Sequence, residues 1–244
     1  MNYMNSVSCL GLTLSVIGLL GVGSSGPGYR FGCWGYKTGI SLVKYSGFFS
    51  VAAVVVCLVG LALWYWEFAS EGKIDALIGL VIGGCVLGLT LKWKHNLDSV
   101  PYIHDITTDT EHPPLFVAVL PLRVGSENPA EYGGPELAQQ QKAAYPDLKP
   151  GMLSGRPDTV FPKALQAAKD MGWKIVASDP QSLRIEATDT TLWFGFKDDV
   201  VVRLTPSPTG SRVDVRSVSR VGKSDVGTNA RRIDAYLARL NSRD

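Results

Sequence analysis

Charge is what the first part of this 244-residue sequence lacks: residues 1–99 hold ten Asp, Glu, Lys and Arg side chains, and residues 100–244 hold the other 36. A stretch so poor in charge does not belong to one ordinary soluble globule. Histidine is scarce as well, with only His95, His104 and His112, which leaves few ways to build a His-based triad. The four cysteines, Cys9, Cys33, Cys57 and Cys85, contain no C-x-x-C pair and suggest no disulfide framework. G-x-S-x-G, H-E-x-x-H, Walker A and G-x-G-x-x-G are absent, and GPGYRFG at 26–32 has the wrong spacing and no strand before it. No cofactor or metal is implied. The balance of 24 basic against 22 acidic residues argues against a dedicated nucleic-acid binder.

What is present is apolar length. Residues 6–23, 46–66 and 74–91 carry no charge beyond Asp75 at the edge of the third, and a helix needs about 20 apolar residues to cross the hydrocarbon core. Three spans follow, so residues 1–97 read as a transmembrane region and the lipid bilayer as the first partner. A cleaved signal peptide is the rival for the first span, but no Lys or Arg precedes Arg30 to form a positive n-region. Trp64, Tyr65, Trp66 and Trp93 sit where interfacial anchors belong. In the third span Gly79, Gly83, Gly84 and Gly88 form two small-xxx-small pairs, a device for close helix packing and a route to oligomerisation.

The charges flanking the spans bear on orientation. The first loop (24–45) carries three positive charges, and the second sets Lys73 against Glu67, Glu71 and Asp75. The positive-inside rule then puts the polar part in the cytoplasm, unless Tyr29–Tyr45 lies along the interface as an amphipathic segment.

Residues 98–150 are rich in Pro, Asp, Thr and Gly and read as an extended, turn-rich linker that is ordered only against the polar domain and forms its start. From 151 to 244 a compact domain is expected. Phe161, Leu165, Ala168 and Met171 recur at helical spacing, with Asp158 as cap and Gly172 as stop. Four strands follow at 173–178, 183–188, 192–204 (broken near Lys197-Asp198) and 211–219, separated by turn signals at Asp179-Pro180 and Thr209-Gly210. Leu183, Ile185 and Ala187 alternate with Arg184, Glu186 and Thr188, so one sheet face is apolar and the other charged. A closing helix over about 226–240 places Ala230, Ile233, Leu237 and Leu240 on one side. The fold class is α+β: three transmembrane helices, then a small two-layer domain of order α-β-β-β-β-α with two helices on one face of an antiparallel sheet.

The stretches IHDITTDT (103–110), AAYPDLKP (143–150), MGWKIVASDP (171–180), RIEATDTTLWFGFKDDVVVRL (184–204) and SRVDVRSVSRVGKSDVGTNARRI (211–233) together resemble the domain of unknown function 1499 family. The resemblance covers residues 100–240 and implies no activity, cofactor or catalytic residue. Some members resemble exported or lipid-anchored envelope proteins, which implies a bacterial plasma-membrane protein with its domain leaning to the periplasm, against the positive-inside reading. The element order also resembles the helix-grip domains of the lipoprotein C subunit of the outer-membrane β-barrel assembly machinery.

Three clusters invite a function. His104, Asp105, Thr108 and Asp109, with His112 beyond, offer imidazole and carboxylate groups for a metal or a hydrolase-like enzyme, against turn-forming Asx hydrogen bonds. Arg216, Arg220, Lys223, Ser224, Asp225 and Gly227 gather at the start of the last helix, where N–H groups and the dipole favour an anion. The competing account has Asp225 fill that role as N-cap while the arginines pair with Asp214, Glu186 or Asp199 across a solvated sheet face. Trp193, Phe194 and Phe196 form an aromatic lip for a peptide or membrane edge, or else strand packing. Asp189, Asp198 and Asp199 are the carboxylates to weigh for acid–base work. The reading that results is a multi-pass membrane protein whose non-catalytic domain binds an envelope protein, peptide or anionic headgroup. The alternative is an enzyme using His104 and its aspartates.

Overall fold

The computed structural model describes residues 5–66, 68 and 71–242. Two compact units result, one from the chain up to Asp98 with Leu192–Gly195, the other from Ser99–Thr191 and Phe196 onward. Glu67, counted above for orientation, lies outside the described residues.

The first unit is three helices, α1 (Asn5–Arg30), α2 (Tyr36–Tyr65) and α3 (Lys73–Asp98), each long and apolar enough to cross a bilayer. This is a membrane protein. The helices outrun the uncharged spans and take in Lys37 and Lys44 in the first three turns of α2 and Lys92 and Lys94 in the last two turns of α3. Tyr29–Tyr45 is divided between two helices: α1 ends at Arg30 and α2 begins six residues later, at Tyr36.

Large side chains such as Leu20, Phe48, Val55 and Val81 point outward, and the seam between helices is small. On α2 the buried positions are Gly39, Val43, Ser46, Ser50, Ala53, Cys57 and Gly60; on α3 they are Ala76, Gly79, Gly83, Val86 and Thr90. Steps of three and four keep each set on one stripe. Lipid supplies no hydrophobic drive between helices, so association rests on close approach and on hydrogen bonds across the seam. Ser15 Oγ donates to Gly79 O on α3 at 2.6 Å. A Cβ on Gly79 would sit 2.6 Å from Cys57 Sγ and 3.0 Å from the Leu12 backbone, while Gly84 and Gly88 have nothing within 4 Å. Gly79 and Gly83 are thus used between the helices of this chain, whereas Gly84 and Gly88 occupy another, exposed face of α3.

The second unit is an antiparallel sheet of β1 (Asp105–Thr107), β2 (Gly151–Leu153), β3 (Lys174–Asp179), β4 (Arg184–Thr190), β5 (Lys197–Ser207) and β6 (Gly210–Ser219). The strand order is β1-β6-β5-β4-β3, with β2 also paired to β6. Helices α4 (Gly134–Ala144), α5 (Pro157–Asp170) and α6 (Thr228–Asn241) complete it, with a 3-10 turn at Leu120–Arg123. The α+β order with α5 and α6 flanking four strands matches expectation.

The core lies between one sheet face and α5 and α6. Val160, Phe161, Ala164 and Ala168 meet Ile233, Tyr236 and Leu240 over Ile185, Val200, Val202, Val213 and Val215. Trp173 stacks on Tyr236 at 5.0 Å, and the Tyr236 hydroxyl donates to Ala164 O, tying α6 to α5. Gly172, at φ +77°, ends α5 as its spacing implied. Asp158 does not cap it: Arg156 is the N-cap, Pro157 takes the first helical position, and Asp158 accepts from Thr159 N.

Residues 98–150 are ordered against the domain as expected, but from Ser99 they are part of it and hold regular elements, β1 and α4, that their composition did not imply. Ile103 and Ile106 are core residues, β1 pairs with β6, and Gln141 on α4 is buried. Its amide accepts from Thr107 N at 2.9 Å and donates to Thr107 O at 2.7 Å. Polar composition there reflects partners on the folded domain, not water.

Gly79→Ala is expected to lower the unfolding midpoint of the full-length protein in detergent by the equivalent of about 1–3 kcal/mol, the usual cost of overpacking. Gly84→Ala, with open space around its Cβ, should leave it equal or higher. Circular dichroism melts of the pair decide.

Candidate functional site

Strand alternation sends Glu186 and Thr188 on β4, Asp199, Val201 and Arg203 on β5, and Asp214, Arg216 and Val218 on β6 to the sheet face away from α5 and α6. Register sets Glu186 opposite Val201, Val201 opposite Arg216, and Arg203 opposite Asp214. The segment between β1 and α4 lies across this face, packing Phe116 and Val119 on Val201 and Val218. Glu186, Asp199, Asp214 and Arg216 are consequently buried to 1% exposure or less.

Buried charge is tolerable only when paired and hydrogen-bonded, and here it is. Arg216 donates Nε and Nη2 to the two oxygens of Asp105 at 2.9 and 2.7 Å, and Phe116 and Tyr132 lie 5.1 and 5.4 Å from its guanidinium. Asp199 accepts from Arg123 at 2.7 Å, from Arg220 at 2.8 and 2.9 Å, and from Thr188 Oγ1 at 2.7 Å. Arg203 bridges Asp109 at 2.9 Å and Asp214 at 3.0 Å. Burial opposes ionisation of Asp199, but hydrogen bonds from Arg220, Thr188 and Arg123 outweigh it and hold the carboxyl below its usual range. Asp109 is also held low: burial is outweighed by the His112 N–H and by Arg212. Burial pushes Asp105 up against Arg216, and pushes the Tyr132 phenol up to about 12.

Glu186 does something different. Its carboxylate accepts main-chain N–H bonds from Val117 at 3.0 and 3.1 Å and from Val119 at 3.0 Å, while Arg184 pairs with it at 3.0 Å. Arg220 Nη1 donates to Leu122 O at 2.8 Å. Held this way, the segment turns Phe116, Val119 and Arg123 inward and Leu115, Val117, Leu120, Leu122 and Val124 outward. Those five are 44–86% exposed and form an apolar ridge.

Beside Leu115 a pocket of about 210 Å³ is lined by Pro114, Leu115, Ser182, Arg184, Val201 and Arg203. Its lining has two arginines and no carboxylate, and Arg203 Nε is buried with no hydrogen-bond partner. A broader depression of about 700 Å³ lies between Thr110–Pro113 and α4, with Tyr132 and Lys142 on its wall.

The residues singled out by sequence are dispersed. His104 contributes its carbonyl to Ser219 N and Asn229 Nδ2, Asp105 is committed to Arg216, and Thr108 bonds Val215 N. Asp109 accepts from Glu111 N and His112 N as well as from the arginines. Among the described residues no group of three or more His, Cys, Asp or Glu is placed to hold a metal. The anion cluster is taken apart too. Arg216 and Arg220 point into the carboxylates just described, Lys223 is exposed, and Ser224 Oγ accepts from Val226 N. Asp225 itself fills the start of α6, accepting from Gly227 N and Asn229 N at 2.8 and 2.7 Å, with Gly227 as a left-handed N-cap. Burial raises its carboxyl above the usual range despite those bonds.

The aromatic lip is divided as well. Leu192–Gly195, with Trp193 and Phe194, groups with the helical unit, while Phe196 belongs to the sheet domain. β5 begins only at Lys197, so these aromatics sit in a turn and not a strand. Asp198 and Asp199 face opposite sides of β5. Asp198 pairs at 2.5 Å with Arg232, which also holds Asp189 at 2.7 Å, leaving no shared carboxylate site with Asp199.

The family model described as protein of unknown function (DUF1499) matches residues 105–240. The chain belongs to the DUF1499 family. No curated protein matches the chain. All six strands, the buried ion pairs and the ridge fall within the DUF1499 match. Sequence reasoning missed the ridge, although LFVAVLPL (115–122) is the longest apolar run after residue 100; its Pro-rich flanks disguised it as linker.

Glu186→Ala should destabilise the full-length protein by about 3–5 kcal/mol, the cost of breaking a buried charged network. Leu122→Ser, at an exposed site, should change stability by no more than about 0.5 kcal/mol. Denaturant titration in detergent measures both. Because Asp199 is held low in the fold, its contribution is complete above the unfolded carboxylate range near 4 and is lost as pH falls through the folded value. Acid melts should show this limb, and Asp199→Asn should flatten it.

Proposed function

We propose that the DUF1499 domain of this membrane protein is a non-catalytic docking module and that the ridge Leu115–Val124 is its docking surface. The observation that carries this reading is five exposed Leu and Val side chains on a segment fixed by Glu186 and Arg220. Contiguous apolar surface of this kind marks interaction sites, and a fixed support lowers the ordering cost of binding. The enzyme reading loses ground because Asp105 and Asp109 are already committed to arginines. The setting we favour is a bacterial plasma membrane, with the domain on the periplasmic side in line with the family resemblance.

The test is a photo-crosslinking amino acid at Val117 or Leu122 of the full-length protein in its native membrane, with Gln166 on α5 as control. Adducts to lipid or to a protein, in excess of the control, are expected. Labelling at the Gln166 level from both ridge positions would refute the docking surface.

A further inference from the structure

Resting on that reading, we propose that the ridge docks on the bilayer itself and that the adjoining arginine pocket takes the phosphate of an anionic phospholipid. Three observations converge on this occupant.

The first is chemical. The outward side chains of the ridge are aliphatic only, and the one charge within Leu115–Val124, Arg123, is turned inward onto Asp199. Interfaces between proteins favour aromatic and Arg anchors with a polar rim; a purely aliphatic strip matches acyl chains.

The second concerns the backbone. An irregular segment enters an apolar medium only if its peptide groups are satisfied internally. Here Val117 N and Val119 N bond to Glu186, Leu122 N to Val119 O, Leu120 N to Val117 O, and Leu122 O accepts from Arg220. Pro121 has no N–H to satisfy. Sheet-face carboxylate and guanidinium thus meet peptide groups at Val117, Val119 and Leu122, the ridge positions nearest them.

The third is charge. Arg184 and Arg203 are register partners on adjacent strands, and they line a pocket that opens beside Leu115 while Arg184 also holds Glu186 and Arg203 also holds Asp109 and Asp214. Arg203 Nε–H is a buried donor still without an acceptor, and a phosphate oxygen is the acceptor such a site takes. Apolar strip and basic pocket together have the amphipathic layout of one lipid. The occupant is also at hand: only residues 99–102 separate Asp98, at the end of the last candidate span, from the buried Ile103, so the domain stays tethered beside a bilayer.

The experiment places an environment-sensitive fluorescent amino acid at Leu122 of the full-length protein in lipid nanodiscs with bromine-labelled acyl chains, with Gln166 again as control. Emission at Leu122 should shift to the blue and be quenched by the acyl bromines, more strongly in discs containing phosphatidylglycerol than in phosphatidylcholine alone. Arg203→Gln and Arg184→Gln should each cut that anionic preference about fivefold; if Arg203→Gln disturbs folding, Arg184→Gln carries the measurement. No acyl quenching in either lipid overturns the bilayer as occupant. Quenching without anionic preference overturns the phosphate pocket. An Arg203-dependent emission change on adding inorganic phosphate to phosphatidylcholine discs, without acyl quenching, assigns the pocket to a free anion and overturns the lipid. Protein crosslinks from Val117 without acyl quenching would leave the docking module standing and remove the lipid; loss of both signals would remove both.

Discussion

The second face of the sheet must bury charge, and the domain is organised around making that tolerable. Desolvating an ion costs several kcal/mol unless a partner and further hydrogen bonds replace water. Each acidic group there, Asp105, Asp199, Asp214 and Glu186, has a guanidinium beside it. An apolar face would have been the simpler way to stability. What the charged face provides is a set of directional anchors for a segment with little secondary structure. Glu186 meets the main-chain donors of Val117 and Val119, and Arg123 carries its own segment into the carboxylate of Asp199. A loop held by such bonds has one register, because sliding it by one residue would strand a carboxylate and two peptide groups at once.

The helical unit answers a different solvent with a different device. With lipid outside, size and not polarity decides which face turns inward. Ser8, Ser15, Ser46 and Ser50 are buried while large side chains such as Leu20, Phe48 and Val81 face out. Ser15 satisfies its hydroxyl on a neighbouring helix, and glycine at 79 leaves the space that this approach requires. In both units the residues that look misplaced by a water-based rule, inward serines and outward leucines alike, sit where the local medium selects them.

Much of this was legible in the sequence. The three spans, two of the helices and four strands followed from uncharged length and from periods of 3.6 and 2. The glycine pairs were legible as packing devices, but the motif alone does not say which of two helix faces meets a neighbour, and Gly79 and Gly84 proved to differ. The alternation Arg184, Glu186, Thr188 identified a polar face; nothing in a period of two says whether water or another segment covers it. Asp105 and Arg216 meet across 111 residues, a separation local pattern cannot reach. The ridge escaped for the same reason: its in-and-out order follows Glu186, not any periodicity of its own.

Gln141 closes one side of this architecture. Its amide occupies both main-chain groups of Thr107 on β1, the outermost ladder positions that another extended peptide would need in order to add itself to the sheet there. A side chain thus acts as a terminator for sheet growth, denying a template to misfolded copies and to strand-donating ligands alike.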